Sequence, residues 1–247
     1  MLKKGFSSKI KLQQDSKKVV LFLHCFRGNP LVFEELAAAV YREGYSFYNL
    51  RLPGHGCRDD DAILDIKKGQ WEFYIENILL DLCDSFDEVY LCGLSLGATL
   101  ALVLSKKYSV HIKKLILLSP VLRVKSRKAK LAPLIRLFKK KLPARKMDCS
   151  LRSGILDEFI PFFPVKQGIL SLGLIKKAAK AAGGKLPPAL AVLARNDGDA
   201  RFELQIELIQ TNPAVKTLVL EKSLHQLTLD VEKHKVFKEV IDFLGES

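Results

Sequence analysis

Along this chain, short unbroken apolar runs alternate with longer stretches in which apolar residues recur every three or four positions. Lys18 to Leu23 is almost wholly apolar and reads as a strand buried on both faces. Asn29-Pro30 then supplies a helix N-cap and a residue suited to the first helical position. Phe33, Leu36, Ala37, Val40 and Tyr41 follow on a single helix face that ends at Gly44. Tyr45 to Leu50 predicts a second strand, leading into the turn-rich Arg51-Leu52-Pro53-Gly54-His55-Gly56. Trp71, Tyr74, Ile75, Ile78 and Leu82 predict another helix. Val89 to Cys92 and Lys114 to Leu118 read as strands on either side of a helix carrying Leu96, Leu100, Val103 and Leu104. Towards the C-terminus, strands at Ala189–Ala194 and Thr217–Leu220 flank a helix near Phe202 to Ile209. A final helix after Asp230 presents Phe237, Val240, Ile241 and Leu244.

Strands alternating with helices of this length predict an α/β fold, a mostly parallel sheet with helices on both faces. Residues 121–186 break the alternation. Leu131, Leu134, Ile135, Phe138 and Leu142 there form a helical stripe, and Gly168 and Gly183-Gly184 read as pauses. The expected organisation is therefore a core of residues 1–120 and 187–247, interrupted by a helical cap at 121–186 over the C-terminal edge of the sheet, where open parallel sheets bind ligands.

With 247 residues and 48% hydrophobic content, the chain can bury a full core as one domain. Its net charge of +13 is concentrated in the cap. Residues 121–186 hold 17 Lys or Arg against Asp148, Asp157 and Glu158, a surplus of +14, whereas the rest holds 23 basic and 24 acidic residues. The basic stretch lacks interleaved aromatics and any nucleic-acid-binding motif, so no nucleic-acid partner is expected. No signal peptide or membrane-length apolar run is legible, and a cytoplasmic protein is expected. The five cysteines form no C-x-x-C pair and read as free thiols. The histidines do not fall at ligand spacing with one another or with the cysteines, so no metal or other cofactor is expected.

The chemistry centres on Gly93-Leu94-Ser95-Leu96-Gly97, which follows a predicted strand and opens a predicted helix. That context is what a G-x-S-x-G nucleophile elbow requires, since the serine must occupy a sharp turn with its hydroxyl aimed away from the sheet. A serine needs a base and a group to orient that base, which follow an elbow in the order Ser, Asp or Glu, His. His111 comes too early, and His234 falls within the last helix. His225, in a loop after the last predicted strand, is the expected base. Asp197 is the favoured acid in Arg195-Asn196-Asp197-Gly198-Asp199, with Asp199 in reserve. The backbone N–H of Leu96 is one expected oxyanion donor, and the loop His24 to Gly28 should supply the other. His24 and His55 are expected to hold loops by hydrogen bonds.

Four motifs together resemble small bacterial carboxylesterases and monoacylglycerol lipases of the α/β-hydrolase fold. They are Leu21 to Pro30, Arg51 to Gly56, the Gly-Leu-Ser-Leu-Gly elbow, and Ser223-Leu224-His225 followed by Leu229-Asp230. The resemblance implies a triad of Ser95, Asp197 and His225, with Phe26 and Leu96 as oxyanion donors. Three positions depart from the family pattern, where Cys25, Leu224 and Ala194 stand in place of glycines. Were Cys25 forced to positive φ, the strain would be of order 1–3 kcal/mol. As a buried small residue it would be inert.

The leading expectation is a serine ester hydrolase acting on monoacylglycerols or other short- to medium-chain esters. Phe138, Phe159, Phe162, Phe163 and Leu170 of the cap are expected to line the acyl pocket. A second reading is an acyltransferase, thioesterase or lysophospholipase, whose basic cap would meet a phosphate-bearing substrate. A third is a non-catalytic protein that lays the same cap on an anionic membrane.

Overall fold

The computed structural model describes residues 7–124, 132–144, 149 and 154–246. Strands β1 (Lys9–Lys11) and β2 (Lys18–Leu23) precede a 3-10 turn at Pro30–Phe33, which runs into α1 (Glu34–Arg42). There follow β3 (Ser46–Leu50), a 3-10 segment at Asp60–Asp65, α2 (Gln70–Ser85), β4 (Glu88–Leu94), α3 (Leu96–Lys107) and β5 (Ile112–Leu118). Next come α4 (Ala132–Ile135), β6 (Lys141–Pro143), α5 (Gly154–Asp157) and β7 (Phe162–Pro164). The chain closes with α6 (Val165–Ala182), β8 (Ala189–Ala194), α7 (Phe202–Gln210), β9 (Val215–Leu220) and α8 (Lys233–Gly245).

Seven strands form one sheet in the order β1-β3-β2-β4-β5-β8-β9, parallel throughout except for β1. The apolar runs are continuous because each central strand is covered on both sides. Val19, Leu21 and Leu23 point to one face, with Leu91, Leu115 and Ala191, against α2, α3, α6 and α7. Val20 and Phe22 point to the other, with Cys92, Ile116 and Val192, against α1 and α8. The expected N-cap is present: the Asn29 side chain accepts from Leu31 N–H at 2.9 Å. Lys114 is a buried lysine on β5 whose ammonium group donates to Phe243 O at 2.7 Å, meeting a C-terminal carbonyl of α8 that would otherwise lack a partner.

Strand β1 was not legible because its three residues are all exposed and carry no apolar pattern. The segment between β5 and β8 also departs from expectation. Leu134 and Ile135 lie in or at the end of a one-turn helix, Leu142 lies in a strand, and Leu131 falls outside the described residues, so the stripe is not one helix. Gly168 is not a pause but sits inside α6. That helix buries Leu174, Ala178 and Ala182 in the same cluster as α3, so it is a core helix rather than part of a cap. Its small alanine face allows this close packing. The antiparallel β6–β7 pair is a separate ribbon, tied to the 3-10 segment by the ion pair of Lys141 with Asp61.

Candidate active site

Ser95 stands between β4 and α3 with φ 56° and ψ −113°, a conformation rarely adopted by a residue with a side chain. The turn is held by Ser95 N–H donating to Leu118 O at 2.9 Å and by Ser95 O accepting from Thr99 N–H at 2.9 Å. The flanking glycines are demanded by contact. A Cβ on Gly97 would lie 1.8 Å from Leu23 O, and one on Gly93 would lie 2.3 Å from the Gly97 carbonyl carbon. Gly97 thereby brings the start of α3 against the end of β2, next to the loop that follows it.

The three expected side chains come together at the C-terminal ends of parallel strands. His225, in the loop after β9, places Nε2 2.7 Å from Ser95 Oγ and Nδ1 2.7 Å from Asp197 Oδ2. Asp197, in the turn after β8, accepts at its other oxygen from Asp199 and Ala200 N–H, both at 2.8 Å. Burial opposes ionisation of Asp197. The charge and hydrogen bond of His225 and those two backbone donors outweigh it, holding the carboxyl below its usual range. An ionised carboxylate only accepts, so the imidazole proton resides on Nδ1 and the Nε2 lone pair faces the serine hydroxyl. Asp199 is not the residue on Nδ1; its carboxylate lies 3.9 Å from Nε2.

Residues given no role beforehand hold these loops, Asp230 and Arg195 among them although both stand in motifs quoted above. Glu232 Oε2 accepts from Lys222 N–H, Ser223 N–H and the Ser223 hydroxyl at 2.8–2.9 Å, and Asp230 Oδ2 accepts from Leu224 N–H at 2.7 Å. A bidentate Arg195–Glu221 pair joins the aspartate and histidine loops. Apart from Asp230, which belongs to the Leu229-Asp230 motif of the resemblance, their sequence signal is polar residues near strand ends, which most surface loops share.

Leu96 is the first residue of α3, and Phe26 lies in the turn after β2. That turn is pinned by two histidines. Leu52 N–H donates to His24 Nε2 at 3.0 Å, and His24 Nδ1 lies 2.9 Å from Cys25 O. Arg27 N–H donates to His55 Nε2 at 3.1 Å, and His55 Nδ1 lies 3.1 Å from Pro53 O. Each ring accepts at Nε2, so each is neutral with its proton on Nδ1. Burial is the main cause that pushes both pKa values down, His55 to about 4. The left-handed residue in this turn is Arg27, at φ 63°, and not Cys25. Among the described residues, Leu224 and Ala194 also escape positive φ, so none of the three glycine replacements is strained in that way. Cys25 is buried, and burial raises its thiol to about 12.

The expected pocket residues divide. Phe163 meets the Phe26 ring edge-on at 5.8 Å, and Phe159 is buried near Cys25 and Gly28. Phe162 and Leu170 are half-buried, Phe162 against the core and beneath Lys141. Phe138 is 80% exposed and lines no pocket here, because the helix expected to turn it inward ends three residues earlier.

A nucleophile elbow, a buried Ser–His–Asp relay and a sheet of this order define a serine hydrolase of the α/β-hydrolase fold. The chain belongs to the serine aminopeptidase S33 family of hydrolases, whose model matches residues 14–161. A Bacillus subtilis (strain 168) carboxylesterase is 24% identical over 233 residues, covering 92% of each chain. Among solved structures, a metagenome-derived lipolytic enzyme superposes with a TM-score of 0.89 at 22% identity, covering 99% of both chains. The Paleococcus ferrophilus monoacylglycerol lipase does so with a TM-score of 0.74 at 15% identity, covering 96% of this chain and 98% of its own. Among the described residues, no helix is long and apolar enough to cross a membrane.

Proposed function

We propose that this hydrolase cleaves short- to medium-chain carboxylic esters or monoacylglycerols through an acyl-enzyme intermediate. The observation that carries the reading is the unbroken chain from Ser95 Oγ through His225 to Asp197, both links at 2.7 Å. Ser95 Oγ attacks the acyl carbonyl while Nε2 of His225 takes its proton, and Asp197 stabilises the imidazolium that results. The N–H groups of Leu96 and Phe26 receive the oxyanion, the first aided by the N-terminal end of α3. His225 returns the proton to the departing alcohol oxygen as the carbonyl–oxygen bond breaks. Water, deprotonated by the same nitrogen, then releases the acid. The edge-on rings of Phe26, in the expected oxyanion loop, and Phe163 offer an apolar surface that suits an acyl chain, and the relatives that are a carboxylesterase and a monoacylglycerol lipase favour an ester over an amide.

The test is turnover of p-nitrophenyl esters of graded chain length, beside an acyl thioester, by the native protein and by Ser95→Ala. Turnover of the neutral esters should fall about a million-fold in the variant, as it does when another serine hydrolase loses its nucleophile. Retained activity in purified Ser95→Ala would reject the mechanism, and a preference for the thioester would favour the acyltransferase or thioesterase reading.

A second reading concerns where the substrate is met. Leu134, Leu137 and Phe138 are exposed beside the exposed Arg136, Lys139, Lys140 and Lys141, which supports peripheral contact with an anionic lipid surface. Sedimentation with anionic vesicles should weaken with salt and with Leu137→Ser/Phe138→Ser. Binding indifferent to both would remove this reading.

A further inference from the structure

The site contains a second carboxylate that the proton relay does not use. Asp199 Oδ2 lies 3.9 Å from Nε2 of His225, on the nitrogen that faces Ser95, whereas Asp197 occupies Nδ1 at the other end of the ring. The side chains of His225 and Asp197 are sealed from solvent, but that of Asp199 is 44% exposed, which puts it at the mouth of the site. Its position is set by the same turn, because its N–H donates to Asp197 Oδ1 at 2.8 Å. Among the described residues no lysine or arginine forms an ion pair with it. Arg27, a mostly buried cation whose Nε donates to Ile160 O at 2.8 Å, interacts with Asp199 through space and offsets part of its field.

The location decides what this charge can act on. Nε2 must pass the serine proton to the leaving oxygen, so that oxygen sits about 3 Å from it during bond cleavage. The leaving oxygen therefore sits within about 7 Å of Asp199 Oδ2, and a charge carried on the alcohol half lies at a distance of that order. At that range a second negative charge is disfavoured by about threefold in a water-like medium, and by more where solvent is partly excluded. An acyl chain on the far side of the carbonyl is not exposed to the same field.

We propose that Asp199 is a specificity-determining residue that selects on leaving-group charge, favouring esters of neutral alcohols and disfavouring anionic alcohol or thiol halves. This rests on the ester-hydrolase reading above and narrows it. A phosphate-bearing carrier or lysophospholipid would bring its charge to this carboxylate.

The experiment compares kcat/KM for 4-nitrophenyl butyrate and 3-carboxy-4-nitrophenyl butyrate, which share an acyl group and differ by one leaving-group charge. Asp199→Asn keeps the side-chain size and the backbone bond to Asp197. Its neutral-over-anionic ratio should fall about three- to tenfold relative to the native protein. Asp199→Lys should take the ratio further in the same direction. The native ratio should also shrink with added salt, because the interaction spans roughly one Debye length at physiological ionic strength. A ratio unchanged in Asp199→Asn, or equal losses on both substrates, would overturn the proposal. Absence of turnover of the neutral ester by the native protein would instead refute the ester-hydrolase reading, and this proposal with it.

Discussion

Gly97→Ala should be the most damaging single-methyl change available in the elbow. The added Cβ would lie 1.8 Å from Leu23 O, 2.5 Å from Leu23 C and 2.9 Å from His24 O. All three are backbone atoms, so no side-chain rotation relieves the clash. An ordinary carbon–oxygen contact needs the start of α3 to retreat from β2 by about 1.5 Å, which forces α3 into the close-packed layer behind it. Overpacking of this kind costs about 3 kcal/mol, or roughly 6–12 °C in Tm for a chain of this size. The same retreat separates Ser95 and Leu96 from the turn that carries Phe26. A misplacement near 1 Å costs about 100-fold in turnover, so kcat on p-nitrophenyl butyrate should fall at least that far. Thermal melts and initial rates on the purified variant measure both effects. A variant with native Tm and native kcat would refute the claim that this backbone contact sets the oxyanion geometry.

Other consequences follow from the same contacts. Asp197→Asn should fold normally but lose about 10⁴ in kcat, because the amide favours the wrong imidazole tautomer; a loss under tenfold would exclude Asp197 as the orienting acid. The lowered pKa values of His24 and His55 make the unfolded chain bind protons that the native state refuses. Stability is therefore full above about pH 6.5 and is lost as pH falls towards 4, with about 2 kcal/mol gone by pH 5 from His55 alone. His55→Gln should flatten the dependence of the urea midpoint between pH 7 and pH 5, and an unaltered slope would contradict the assignment. With its thiol raised to about 12 by burial, Cys25 should alkylate at pH 8 roughly a thousand-fold more slowly in the native protein than after unfolding. Mass spectrometry of timed reactions would reveal rapid native labelling if that is wrong.

Local rules make much of this protein legible in its sequence. Unbroken runs such as Lys18–Leu23 and Ala189–Ala194 announce strands covered on both faces, and helical spacing such as Trp71, Ile75 and Leu82 announces the layers that cover them. The elbow was readable because its glycines, serine, strand and helix are consecutive, and His225 was readable because chain order excluded the other histidines. Where neither neighbours nor periodicity constrain a residue, its role depends on distances across the fold. Asp197 and Asp199 are two positions apart in one turn, and only the position of the His225 ring separates an orienting acid from a carboxylate at the site mouth. Whether Cys25 must take positive φ in place of a glycine is open in the sequence; in the fold the positive φ falls on Arg27, whose N–H donates to His55 from another loop, and Cys25 is a buried small residue. The stripe from Leu131 to Leu142 satisfies helical spacing but is not realised as one helix, whereas α6 falls in the segment expected to be cap and packs in the core. Sequence determines which surfaces want burial and which atoms can do chemistry. The choice of partner for each is made by long-range packing, which a one-dimensional pattern does not encode.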